Sequence, residues 1–195
     1  MRKTDQRIKF MVVTAMLSAL SFVLYLFEFP LLSAFPHLKL NFSDIPALIG
    51  GVFFGPLCAI LVELIKNILQ LITRGLGEQM GFGNIMDFLV GCGYVLPFTI
   101  LFHKLKKTKL NDIGKFTIPT IAAMIGILLA GLVGNTVVVP LFFKFVMKWN
   151  VTAELVRGAV YAAVIFNTIK GAILTAVIIP VIIALRHVKF LAGNT

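Results

Sequence analysis

The 195-residue chain is 59% hydrophobic and 13% charged, with a mean hydropathy of +0.99. Apolar runs of roughly 20 residues recur along it, which makes it an integral membrane protein with helical spans and excludes a barrel, whose segments alternate apolar and polar residues. The formal charge of +10 is not gathered on a soluble helix or a basic tail, so it speaks for topology and not for nucleic acid. Spans of this length leave room for five or six helices and no soluble domain, so any ATPase must come from another chain.

The two termini placed on the cytoplasmic side of six spans give eleven basic residues inside, among them Arg2, Lys3, Lys104, Lys106, Lys107 and Lys109. Five lie outside: Lys39, Arg74, Lys144, Lys148 and Arg157. The positive-inside rule favours this orientation. The expected fold is therefore an all-α integral membrane protein, a single membrane domain of six transmembrane helices with both termini cytoplasmic. The expected spans are 8–32, 45–54, 57–73, 84–102, 117–143 and 155–185.

Span one opens basic and then apolar, as a signal peptide does, but lacks a small-residue cleavage pattern and reads as a retained span. Within it Ala15 and Ala19, with Ser18 between them, form a small-residue ridge that lets a second helix approach closely, either inside the bundle or on a partner. The loop 33–44 follows, with Pro36 and the alternation Leu38, Leu40, Phe42 predicting extended chain. Ser43 or Asp44 can cap span two, with Pro46 tolerated in its first turn, and Gly55-Pro56 turns the chain directly into span three.

In span three Glu63, Lys66, Asn67 and Gln70 share one helical face. Charge inside a membrane is costly, so this face looks into the bundle or a wet cavity, where Glu63 and Lys66 can neutralise each other. The glycine-rich outer loop 74–83 lacks the order of a phosphate loop. Span four begins with Asn84, a possible cap, and Asp87, an acid near the positive end of the helix. The lysine-rich stretch 103–115 is the main cytoplasmic loop. Span five brings Gly131 and Asn135 onto one face, with Gly126 adding close backbone approach, and Trp149 marks the outer interface. Span six carries FNTIKG, residues 166–171, with Asn167 and Lys170 in the middle of an apolar helix.

Asn84, Asp87, Asn135, Asn167 and Lys170 all fall toward the outer half of their spans. Carboxamides and an ammonium suit an uncharged, flat, heteroatom-rich ligand better than a metal, and each could instead act as interhelical glue. No catalytic role is expected: His37, His103 and His187 sit in loops or at span ends, and no H-E-x-x-H or G-x-S-x-G motif occurs. No metal site is expected, and Cys58 and Cys92 read as small hydrophobes. Glu63 or Asp87 leaves a proton-coupled carrier open, and an assembly subunit without transport is a further alternative.

Residues 40–67 (LNFSDIPALIGGVFFGPLCAILVELIKN), 134–141 (GNTVVVPL) and 166–171 (FNTIKG) resemble the riboflavin-specific substrate-binding subunits of energy-coupling factor (ECF) transporters. The resemblance extends over nearly the whole chain, and its D-I-P…G-x-x-F-G-P part is shared with subunits for other vitamins such as folate, pantothenate or thiamine. It implies a non-enzymatic subunit of a prokaryotic cell membrane that captures riboflavin as transported ligand and not as cofactor. The subunit would sit in membrane lipid and associate with a transmembrane coupling subunit and two ATPase subunits. It further implies that Asn135, Asn167 and Lys170, with the backbone of Leu40, hydrogen-bond the polar edge of the flavin, and that Ala15 and Ala19 dock the coupling subunit. The resemblance leads one to expect Asn at position 87, where this chain has Asp.

Overall fold

A computed structural model describes residues 3–31, 38–75, 81–146, 148–149 and 151–185. His37 and His187 lie outside them. The chain runs through α1 (Lys3–Leu26), two short strands β1 (Phe29–Pro30) and β2 (Lys39–Leu40), α2 (Asp44–Phe54), α3 (Pro56–Arg74), α4 (Phe82–Lys106), α5 (Asp112–Val133), a π-helical turn (Gly134–Val138), α6 (Val139–Phe145) and α7 (Ala153–Leu185).

Among the described residues, five helical stretches are long and apolar enough to cross a membrane, with α5, the π turn and α6 forming one of them, Ile113–Phe145. The sixth helix, α2, has 11 residues. At 1.5 Å per residue it is about 16 Å long, roughly half the hydrocarbon thickness. Gly55 supplies its tight exit with φ 97°, a conformation that strains any other L-residue, and Pro56 starts α3 at a position where no amide donor is needed.

Several boundaries differ from the sequence expectation for local reasons. The first helix ends at Leu26 and not at 32, because Phe29–Pro30 leaves it to pair antiparallel with Lys39–Leu40. Phe29 faces Leu40 in register, so the extended chain foreseen at 38–42 becomes the second arm of a small hairpin. α5 begins at Asp112 and not 117, because the Asn111 side chain accepts the Gly114 amide at 3.0 Å and caps the helix early. Asn84 is not a cap: Gly81, with φ 77°, precedes α4 and Asn84 lies inside its first turn.

The bundle interior combines an apolar core with small polar groups. Leu48, Val52, Phe53, Val62, Tyr94, Phe98, Ile127, Leu174 and Ile178 are sealed from solvent. Lipid is as apolar as these side chains, so close packing and interhelical hydrogen bonds, not burial from water, hold such helices together. The contact between α4 and α5 illustrates this: a Cβ on Gly126 would lie 2.0 Å from the Gly93 carbonyl oxygen. Backbone opposes backbone there, so no rotamer change relieves the clash. Gly126→Val should separate the two helices and lower stability by about 1–3 kcal/mol or more, read as a lower midpoint for thermal unfolding in detergent.

On α1 the ridge expected from sequence divides. Thr14, Ser18 and Ser21 point inward: Thr14 Oγ1 lies 3.3 Å from Cys58 Sγ, Ser18 donates to the Thr14 carbonyl and Ser21 to the Ser43 carbonyl. Ala15 and Ala19 are exposed on the opposite face, beside Met11, Met16 and Val23. Ser18 therefore belongs to the bundle interior and not to the alanine ridge.

Candidate functional site

Inside the outer half of the bundle the structure collects five ionisable groups from four helices. Lys66 of α3 is at its centre, with its ammonium 2.6 Å from Glu63, 2.9 Å from Asp87 and 3.0 Å from Asp44. Lys170 of α7 lies 2.8 Å from the second oxygen of Asp44 and 4.0 Å from Asp87. Asp44 is thus a bridge between the two lysines, one carboxylate oxygen to each. All five groups are sealed except Asp87, whose side chain is 16% exposed.

Local sequence explains how the cluster is built. Glu63 and Lys66 lie one turn apart on the polar face of α3. Asp44 is brought in by the first turn of α2, where the Ser43 hydroxyl bonds Asn41 Oδ1 at 2.7 Å and also accepts from Lys66. Gly91 of α4 leaves the room, since a Cβ there would stand 2.6 Å from Glu63 Oε2 and 3.4 Å from Asp44 Oδ1. The three carboxylates approach within 4.8 Å of one another, a spacing that could hold a metal ion, but the Lys66 ammonium occupies the position a cation would take. At formal charges the group has one more carboxylate than ammonium.

A set of amides surrounds this cluster. Asn84 donates to Gln70 Oε1 at 2.9 Å, joining α4 to the polar face of α3. Asn67 donates back to the Glu63 carbonyl at 2.9 Å, while its Oδ1 and the Nε2 of Gln70 are buried without hydrogen-bond partners among the described residues. Asn167 is 4% exposed and its carboxamide has no partner among the described residues. It packs on Gly131 of α5 so closely that a Cβ there would come 2.2 Å from Asn167 Nδ2. Asn135 sits in the π turn and donates to the Gly131 carbonyl at 2.8 Å. The turn ends beside Pro140, which has no amide to donate into the α-helical ladder, and the amide of Val139 bonds back to Gly134. Single π turns of this kind commonly occur at functional sites. Leu40, 2% exposed, closes the outer side at the end of β2.

At the outer rim Glu28, just after α1, pairs with Lys39 of β2 at 2.9 Å and with Arg74 at the end of α3. Arg74 also lies over the Tyr25 ring, 4.9 Å from its centroid. Burial pushes the pKa of Glu28 up, but the hydrogen bonds and charges of Arg74 and Lys39 outweigh it and hold the carboxyl below its usual range. A separate cavity of about 450 Å³ lies at the opposite, cytoplasmic end, among Gln6, Lys9, Phe10, Phe53, Phe54, Gly55 and His103, and includes none of the groups above.

The polar residues converge from separate helices in a chain without a nucleotide-binding motif, and residues 9–183 match the family described as ECF transporter, substrate-specific component. The chain belongs to that family. This S component is 34% identical over 181 residues to "Riboflavin transporter FmnP" of Bacillus subtilis (strain 168), covering 92% of this chain and 93% of the relative. It is 30% identical over 175 residues to "Riboflavin transporter RibU" of Staphylococcus aureus (strain TCH60), covering 89% and 88%. A solved structure, "Structure and mechanism of the S component of a bacterial ECF transporter", superposes with a TM-score of 0.71 at 28% identity, over 92% of this chain and 96% of that one. The S component is a multi-pass protein of the cell membrane, and its family sets aside the solitary proton-coupled carrier that Glu63 and Asp87 left open.

Of the residues singled out by sequence, Asp87 and Lys170 belong to the S component's charged cluster, Asn84 bonds Gln70 beside it, and Asn167 packs on Gly131, to whose carbonyl Asn135 of the π turn donates. Lys170 was expected to meet a ligand edge; it is also engaged with Asp44. Of the two possible caps of α2, Ser43 takes the N-cap position without a side-chain cap hydrogen bond, and Asp44 in the first turn joins α2, α3 and α7. Two lysines inside spans require counter-ions, and that was the available signal. It did not name Asp44, because residues 44, 66 and 170 meet only through tertiary packing.

Proposed function

We propose that this S component captures riboflavin at the outer face of the membrane and delivers it to an ECF complex whose ATP hydrolysis takes place on separate chains. The observation that carries the reading is the near full-length match to two relatives named as riboflavin transporters. The chemistry of the site supports it. A flavin presents a flat ring with a polar edge of carbonyls and ring nitrogens, and it carries a chain of hydroxyls.

In this reading Asn167, Lys170 and Asn135, with the backbone at Leu40, meet the polar edge. Carboxamides offer donor and acceptor together, and Lys170 donates while Asp44 balances its charge. The hydroxyl chain runs toward α3 and α4, where the free Oδ1 of Asn67 and Nε2 of Gln70 provide an acceptor and a donor near Asn84 and Asp87. Groups that lack partners inside a membrane bundle cost free energy, and a ligand that fills them recovers it. Purified protein titrated with riboflavin should quench the flavin's fluorescence at a stoichiometry near one. No quenching at micromolar concentrations would refute the assignment.

The partners follow from the same reading: a transmembrane coupling subunit and two ATPase subunits, with Ala15 and Ala19 as the docking surface for the first. Their outward position on α1 allows a helix to approach closely. Ala19→Leu adds bulk to that contact, about 1–3 kcal/mol of overpacking, or roughly 5- to 150-fold weaker association. Co-purification of the coupling subunit should fall accordingly while riboflavin binding persists. Equal recovery of the complex would place the docking surface elsewhere.

A further inference from the structure

The charged cluster contains a selection rule that its hydrogen bonds alone do not state. Both ammonium groups at the candidate site are committed to carboxylates: Lys66 touches Glu63, Asp44 and Asp87, and Lys170 touches Asp44 with Asp87 at 4.0 Å. Neither is a free cation for a ligand's anionic group, and the cluster as a whole has one carboxylate in excess. Four of its five members are sealed, with side-chain exposure of 3% or less. Only Asp87, at 16%, is half-buried; it lies one turn from Asn84, which donates to Gln70.

We propose that Asp87 is a specificity-determining residue that disfavours ligands bearing negative charge, so that the site takes an uncharged flavin in preference to its 5′-phosphate. This rests on the functional reading above, in which the hydroxyl chain of the ligand runs toward Asn67, Gln70 and Asn84. A phosphate at the end of that chain meets the half-buried carboxylate of Asp87 in a low-dielectric surround. The charge of Asp87 is only partly balanced, because it shares Lys66 with two other acids. Of the cations on this side, Lys39 and Arg74 both bind Glu28 at the rim, and they, with Lys144, Lys148 and Arg157, are the groups that would work against the effect.

The test measures the dissociation constants of riboflavin and of riboflavin 5′-phosphate for wild type, Asp87→Asn and Asp87→Glu in detergent, at one ionic strength. The wild type should favour riboflavin. One unit charge removed at a separation on the order of 10 Å and an effective dielectric near 20 changes binding of a singly charged anion by roughly tenfold or more. The ratio of the two constants should therefore shift at least about tenfold toward the phosphate in Asp87→Asn, whatever happens to riboflavin affinity itself, and stay near its wild-type value in Asp87→Glu. Asp87→Ser, a second neutral variant, carries the same expectation as Asp87→Asn. A structural role alone would weaken both ligands together and leave the ratio in place. An unchanged ratio in both neutral variants, with riboflavin bound by the wild type, overturns this inference and leaves the functional reading standing. A wild type that binds no riboflavin overturns both.

Discussion

Replacement of Asp44 by Ala should cost the folded protein about 3–5 kcal/mol, because it takes a counter-ion from two buried ammonium groups and strands one of them. Asp44 is fully buried, with one oxygen 3.0 Å from Lys66 and the other 2.8 Å from Lys170. Lys66 retains Glu63 and Asp87 after the change, but Lys170 keeps only the 4.0 Å approach of Asp87. Most of the loss therefore arises at α7, and the junction of α2, α3 and α7 loosens. Thermal unfolding in detergent, followed by helical content, measures this directly. Lys170→Met made in the same background supplies a check: with the stranded cation gone, the double variant should be more stable than the sum of the single effects allows. Additive losses would mean that the pair contributes no coupling and that Asp44 acts through packing alone.

Asn167→Ala should weaken riboflavin binding by about 5- to 150-fold, the equivalent of about 1–3 kcal/mol for a hydrogen bond lost at a buried polar edge. The side chain is 4% exposed, has no partner among the described residues and is held against Gly131 where a methyl group would not fit. Its carboxamide is positioned by α5 and free to bond. Fluorescence quenching reads the change, and an unfolding midpoint close to wild type separates a ligand contact from interhelical glue. Affinity equal to wild type would make Asn167 a packing residue. Gly131→Ala offers an independent check, since a Cβ 2.2 Å from Asn167 Nδ2 must displace the carboxamide and weaken binding in the same direction.

Much of this architecture is local information. Hydropathy located the helices, and the paired signals of Gly55-Pro56 marked the turn between α2 and α3 because only glycine adopts φ 97° without strain there. The polar stripe on α3 was legible from spacing alone, as was the pairing of Glu63 with Lys66, since residues three apart on a helix are neighbours whatever surrounds them. The π turn at Gly134–Val138 was not legible: Pro140 signals a break in the ladder, but whether the chain kinks, ends or inserts a residue depends on what packs against it. Likewise the direction in which Ser18 points, away from its neighbours Ala15 and Ala19, became clear only once α1 had a bundle to face.

Composition, charge asymmetry and helical spacing thus determined by themselves that this chain crosses a membrane repeatedly, which way it is oriented, and that two lysines lie inside it at a cost needing compensation. Those properties depend on residues close in the chain or on sums over it. The partners that compensate were decided by the tertiary structure. Asp44 lies 22 positions from Lys66 and much further from Lys170, so their meeting is fixed by the packing of α2 against α3 and α7, while the missing side chain of Gly91 leaves room for Glu63 beside them. A buried charge announces that it needs a partner; only the packed bundle names it.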